Sequence, residues 1–259
     1  MKWIWETIAV AFAMFSAIPV PQPVWNEKNM RYALCAFPLV GVGCALAWGI
    51  WAALAEKTAV PLLLRAAGFC LLPVFITGGI HLDGYADTCD ARSSYGDWQK
   101  KQEILKDPHC GAFAVIRLCS YFVLWFALCG AFQPTEKGLF CMGLAFVLSR
   151  ALSGLAVAAF PLAKDTGLAH TFASAADQKK VRLFLLLLSG LLMFCLMACG
   201  GKMGVATTVA AMVVFWYYHR VAKKEFGGIS GDLAGWFLQK AEMWMLAAVV
   251  LCQIGEASI

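Results

Sequence analysis

The sequence predicts an all-α, polytopic integral membrane protein of about seven transmembrane helices, with an N-terminal segment that suits an interfacial or re-entrant helix. Three observations predict it. Of 259 residues, 61% are hydrophobic and only 14% charged, against about 25% charged in an ordinary soluble domain. Mean hydropathy is +0.70. Uncharged runs long enough to cross about 30 Å of hydrocarbon alternate with connections whose basic content rises and falls along the chain. Such a composition excludes a disordered chain, a collagen-like chain and an ordinary soluble enzyme.

The elements follow in order. Segment 3–18 carries Trp3 and Trp5 and runs into Pro19, Pro21 and Pro23, so it reads as interfacial or re-entrant as readily as an eighth span. No small-residue cleavage site follows its apolar run, and Glu6 lies near its start, so it is expected to stay on the protein. The run 32–55 has no charge. Run 66–82 is also clean, with an apolar lead-in from Thr58 broken only by Arg65. Runs 118–135 and 183–201 are uncharged, and 138–163 is interrupted only by Arg150. Runs 203–218 and 243–255 are shorter. The eleven cysteines are odd in number, follow no repeated spacing and mostly lie in apolar stretches. They read as small core residues, not as a disulfide framework.

Loop charge sets the orientation. One set of connections holds fourteen Lys and Arg, the alternate set only Lys57, Arg65, Lys137 and Lys202. The positive-inside rule puts the richer set in the cytoplasm. Three polar loops, near 81–110, 163–182 and 220–242, are therefore expected on one cytoplasmic face. The net charge of +5 then reflects orientation and not nucleic-acid binding. Eleven of the sixteen acids also fall in or beside these loops, which suggests a cation site as well as an anion site.

Residues 78–91 read GGIHLDGYADTCDA. Asp83, Asp87 and Asp90 at i, i+4 and i+7 share one face of a helix, where like charges repel. A hard divalent ion, Mg²⁺ with Mn²⁺ as an alternative, would neutralise them through oxygen ligands alone. The plainer reading is an acidic helix N-terminus favoured by the dipole. Asp107 precedes Pro108, with Gly111 just before the next span, a pattern that also serves as an ordinary helix boundary. Gly227, Gly228, Gly231 and Gly235 surround Asp232, with Glu242 in the same stretch. That spacing permits close backbone approach and amide contacts to phosphate, or else a simple glycine turn. Arg150, alone in an apolar run, needs either a polar cavity or a buried acid. It therefore reads as a phosphate clamp or half of a structural ion pair. His81, Cys89, His109 and Cys110 match no zinc spacing. Tyr85 and Trp98 could stack on a base, although aromatics at membrane boundaries are commonly anchors.

These residues resemble the cobalamin synthase (adenosylcobinamide-GDP ribazoletransferase) family over nearly the whole chain. The family pattern GGxHxDGxADTxDG is similar to Gly78, Gly79, His81, Asp83, Gly84, Ala86, Asp87, Thr88 and Asp90. Asp107 with Gly111, Ser149 with Arg150, and Gly227, Gly228, Gly231, Asp232, Gly235 and Glu242 resemble its further elements. So do Pro19 to Pro21, and Pro38, Gly41 and Gly43. Ala91, Ala114 and Trp236 depart from it without removing a carboxylate. The spacing is more distantly similar to the metal motif of CDP-alcohol phosphotransferases.

The resemblance implies a single transmembrane catalytic domain, 1–259, in the cell inner membrane with its active site toward the cytoplasm. It would join adenosylcobinamide-GDP to α-ribazole or its 5′-phosphate, releasing GMP. Mg²⁺ would be held by Asp83, Asp87 and Asp90. Asp107 or Asp232 would complete the metal shell or accept the attacking hydroxyl's proton, with His81 a weaker base or an orienting partner. Arg150 and Lys164 would hold phosphate, Gly227, Gly228 and Gly231 would admit it closely, and Glu242 would lie at the substrate. Membrane lipid surrounds such a chain; whether it forms a homo-oligomer or binds pathway enzymes stays open. The competing readings are a cation-coupled transporter, for which no internal repeat is found, and a lipid head-group phosphotransferase, for which Asp87 stands where an Arg is expected.

Overall fold

The computed structural model describes residues 2–257, and among them the chain is helical throughout, with no strand beyond one isolated bridge. The helices are α1 (Lys2–Phe15), α2 (Glu27–Met30), α3 (Ala33–Lys57), α4 (Leu62–Thr77), α5 (Ile80–Ser93), α6 (Trp98–Ile104), α7 (Ala112–Ala131), α8 (Glu136–Ala159), α9 (Leu168–Ala175), α10 (Gln178–Glu225) and α11 (Gly231–Ala257). α8 lies at the centre, packed against α3, α10 and α11.

Five helices, α3, α7, α8, α10 and α11, are long and apolar enough to cross a membrane, and the bent pair α4–α5 adds a sixth candidate. α10 contains two arms. Gly201 has φ 58° and ψ −137°, a backbone that glycine adopts without the Cβ penalty. A Cβ on Gly204 would collide with the Leu196 carbonyl. In a straight helix those residues would stand about 12 Å apart, so the chain doubles back. Arms 178–200 and 202–225 thus answer to the two apolar runs separated by Lys202, and about seven crossings result. Their outer faces, such as Leu186, Leu187, Phe194, Val209 and Val213, are exposed apolar surface suited to lipid.

α1 has only 14 residues, about 21 Å of helix, too short to cross alone. Trp3 Nε1 donates to the Lys28 carbonyl at 3.0 Å, just before α3 begins. Ala17 N donates to the Ile76 carbonyl at 2.7 Å, where α4 ends. The start of α3 and the end of α4 share one end of the bundle, so α1 lies across that end.

The polar stretches expected as loops are largely helical. α5 and α6 occupy most of 81–110, α9 and the start of α10 most of 163–182, and only 226–230 separates α10 from α11. Between α4 and α5, Gly78 and Gly79 are both left-handed, at φ 65° and 79°, and the axis turns by 94°. With α4 along the bundle, α5 therefore runs across its end.

Candidate functional site

Three segments converge at that end. Leu162 and Ile229 form a parallel bridge, with Ala163 N donating to the Ile229 carbonyl at 2.8 Å and Ile229 N to the Pro161 carbonyl at 2.9 Å. A Cβ on Gly228 would come within 2.6 Å of Ala163 N, so glycine is what lets the two strips of backbone meet. α6 latches the same loop. Gln102 donates to the Phe226 carbonyl at 2.9 Å, and Lys101 pairs with Glu225 at 3.1 Å. Arg92 holds Glu225 with two bonds of 2.9 and 3.0 Å.

α5 meets the start of α11 through two further glycines. A Cβ on Gly84 would lie 2.8 Å from Asp232 Cα and O, and one on Gly235 would lie 2.9 Å from the His81 carbonyl. This backbone-on-backbone crossing sets Asp83 and Asp232 in the wall of one cleft of about 330 Å³. Lys106, Lys164, His170, Ser230 and Gly231 share that wall. A second, more open cleft of about 540 Å³ lies beside it, bordered by Asp83, Asp87, Pro108 and Cys110.

The expected carboxylate face of α5 is present. Asp83 is exposed, Asp87 and Asp90 are half-buried, and His81, Tyr85 and Thr88 turn inward. Burial, with Asp83, Asp232 and Asp90 nearby, pushes the Asp87 carboxyl up to about 6. Burial pulls the Lys164 amine down, and Asp232 partly opposes it. The four carboxylates thus feel one another. Among the described residues, however, no three His, Cys, Asp or Glu side chains converge closely enough to enclose a metal ion. Asp90 has a partner already: Ala114 N donates to its Oδ1 at 3.3 Å, and a Cβ on Gly111 would collide with its carboxylate. Asp90 therefore caps α7 across the chain, where the helix dipole favours an anion.

Other expected site residues fall elsewhere. Asp107 is turned to His109, accepting from its backbone N at 2.9 Å and lying 2.7 Å from its Nδ1, in solvent. Gly227 and Gly228 shape the loop without lining either cleft; Gly227 packs near Trp98. Of the glycines around Asp232, Gly231 and Gly235 line the cleft. His81 lines the cleft, but burial and then the charge of Arg150 push its imidazole down to about 3. It is neutral and a poor base at ordinary pH, and its Nε2 has no partner.

Arg150 and Glu242, expected at the substrate, pair with each other inside the bundle. Nη1 of Arg150 lies 2.6 Å from Oε1 of Glu242, with side chains only 1% and 2% exposed. Ser149 Oγ donates to the same oxygen at 3.0 Å, and Arg150 Nη1 also donates to the Phe146 carbonyl at 2.8 Å. Ser153 and Gly154, one helical turn further along α8, line the cleft floor. Arg150 therefore supports that floor from below and does not reach into the cleft. Lys106, His170, Thr166 and Ser230 line the cleft and were not singled out as site residues. They come from three polar stretches, Thr166 and His170 from the same one, with no spacing pattern to mark them; the only sequence signal was the basic, polar character of the loops.

A family model described as Cobalamin-5-phosphate synthase matches residues 7–250. An adenosylcobinamide-GDP ribazoletransferase of Lachnoclostridium phytofermentans is 40% identical over 253 residues, covering 98% of this chain and 96% of the relative. A protein of the same description from Geobacillus kaustophilus is 31% identical, covering 97% of this chain and 100% of the relative. One from Clostridium botulinum strain Alaska E43 is 28% identical over 243 residues, covering 94% and 96%. No solved structure matches the chain.

Proposed function

The chain belongs to the cobalamin-5-phosphate synthase family, and on that premise we propose that it joins adenosylcobinamide-GDP to α-ribazole or its 5′-phosphate. A ribose hydroxyl attacks the phosphorus that carries the cobinamide, the bond bridging the two phosphorus atoms breaks, and GMP leaves. The hydroxyl proton passes to a carboxylate. The observation that carries this reading is the meeting of the two acidic, glycine-rich motifs, Asp83-Gly84 and Asp232 to Gly235, in one cleft with Lys106 and Lys164.

The chemistry of displacement at a pyrophosphate is mostly positioning and charge neutralisation. Lys164 and Lys106 bind and orient phosphate oxygens. Asp232, beside Lys164 and at the start of α11, is the proton acceptor best placed at the cleft. The donor set on α5 suits Mg²⁺ or Mn²⁺: it is all oxygen, and burial together with the neighbouring carboxylates raises the proton affinity of Asp87. Asp83 and Asp87 would hold the ion, whereas Asp90 is committed to the start of α7. When bound, Mg²⁺ supplies positive charge against the pyrophosphate and the departing GMP. The fourteen-to-four Lys and Arg asymmetry further supports an inner-membrane protein whose cleft faces the cytoplasm. An impermeant thiol reagent should then fail to reach Ser94→Cys, Ser174→Cys or Ser230→Cys in intact cells.

The test of the activity is GMP release by membranes containing the chain, supplied with adenosylcobinamide-GDP and Mg²⁺. Release should require α-ribazole. No release, or equal release without ribazole, contradicts the reading.

A further inference from the structure

Asp83 stands on the ridge between two clefts, and the clefts differ in size and lining. The smaller, of about 330 Å³, runs down between α3, α5, α8 and α11. Its deep end is walled by Phe15, Leu34, Phe37, Val157 and Phe172. Phe15 packs on Phe37 and Phe172, with ring centroids 4.3 and 5.3 Å apart. Its charged groups gather at the mouth, with Lys106, Lys164 and Asp232 beside Thr166, while the buried His81 and Ser153 are the polar groups further in. The larger, of about 540 Å³, starts at the Gly78–Gly79 bend and passes Asp83 and Asp87 to Pro108, Cys110 and the α7 residues Leu118 and Phe122. Beyond it the start of α7 presents exposed Phe113, Val115 and Ile116, so this cleft continues onto the open surface.

We infer that the enclosed cleft takes the ribazole nucleoside and the open cleft takes adenosylcobinamide-GDP, the two meeting over Asp83. This assignment rests on the transferase reading. Volume decides first. About 300 Å³ is the lower bound for a pocket that buries a small organic ligand; one flat nucleoside fits it, whereas a corrin with a nucleotide tail is several times too large. Lining decides second. Apolar and aromatic walls closing on a polar mouth match a flat aromatic base at the deep end and a ribose, free or phosphorylated, at Lys164 and Asp232. The open cleft is not closed on the α7 side, so a ring too large for any enclosed pocket can overhang it.

Thiol protection in membranes tests the assignment on the full-length chain. In a cysteine-depleted background, Cys110 is retained in one protein and Thr166→Cys introduced in another. Adenosylcobinamide-GDP should slow alkylation of Cys110 by about tenfold or more, a free-energy difference of about 1.4 kcal/mol, while α-ribazole leaves it unchanged. α-Ribazole should slow alkylation of Thr166→Cys. Protection of Cys110 by α-ribazole with none at Thr166→Cys overturns the assignment. So does absence of protection at either site while GMP release persists. Loss of GMP release in the parent chain would instead strike the transferase reading itself. Val157→Phe gives a second readout by filling the deep end: KM for α-ribazole should rise about tenfold or more, with KM for adenosylcobinamide-GDP within about twofold. Equal rises in both would overturn it.

Discussion

The mouth of the bundle and its middle both hold carboxylates, and the protein treats the two in opposite ways. In the middle, Glu242 receives Arg150 at 2.6 Å and Ser149 at 3.0 Å, and the pair is sealed from solvent. Its charge is answered by the chain itself. At the mouth, Asp83, Asp87 and Asp232 crowd one another, with Lys164 the cation beside Asp232, and burial together with these neighbours pushes Asp87 up to about 6. Their charge is left for something outside the chain to answer. A carboxylate with its partner built in serves the fold, and carboxylates held together against repulsion serve a ligand.

The largest expected effects are on turnover at the mouth. Asp83→Asn and Asp87→Asn should each lower GMP release by on the order of 10²–10³-fold, the scale of losing one preorganised charge-stabilising group, with no loss of melting temperature in detergent. Near-normal turnover in either would remove the distinction between the regions. In the middle the effect should be on stability. Glu242→Gln leaves a buried guanidinium unanswered and should cost about 3–5 kcal/mol, seen as a lower melting temperature. Arg150→Lys keeps the charge but loses the second Nη contact to Cys44; it should be milder, with KM for adenosylcobinamide-GDP unchanged. A raised KM there would return Arg150 to the substrate.

The junction between regions is the α5–α11 crossing. Gly84→Ala puts a Cβ 2.8 Å from the Asp232 backbone, and forced overpacking of this kind costs about 1–3 kcal/mol. Turnover should fall by more than stability alone explains, because Asp83 and Asp232 are moved apart. A fully active Gly84→Ala would show that the close crossing is dispensable.

The smallest effect concerns pH. The Asp87 carboxyl rises from an ordinary value near 3.8 to about 6 in the folded chain, so the folded state binds its proton first. Without metal, Asp87 therefore contributes stability as pH falls through about 6, and that contribution is lost as pH rises through it. The buried His81 imidazole acts in the opposite sense, resisting a proton that the unfolded chain accepts near 6.5. The informative quantity is thus the difference between parent and Asp87→Asn. The variant should gain melting temperature relative to the parent above pH 6 and lose that advantage near pH 4.

Much of this was legible in the sequence. Uncharged runs marked the crossings because hydrocarbon excludes charge whatever the neighbours are. Lys202 between two apolar runs marked the α10 hairpin, and the i, i+4, i+7 acids marked the outward face of α5. What escaped depended on partners distant in sequence. Arg150 announced that it needed an acid or an anion, but Glu242 lies 92 residues away, and no local pattern links them. Asp90 looked equivalent to Asp83 and Asp87 until α7 brought Ala114 N and Gly111 against it. Gly228 and Gly235 looked like ligand-cradling glycines, whereas their missing side chains admit another piece of backbone. The polar loops were read as loops because charge hides short helices whose apolar faces are only a few residues long.

The most direct test of the central claim is melting temperature and GMP release measured side by side on Asp83→Asn and Glu242→Gln, at equal amounts of folded protein. The account predicts that Asp83→Asn melts like the parent and is nearly inactive, while Glu242→Gln melts lower and, per folded molecule, retains most of its turnover. An unstable Asp83→Asn, or a stable and inactive Glu242→Gln, would contradict it.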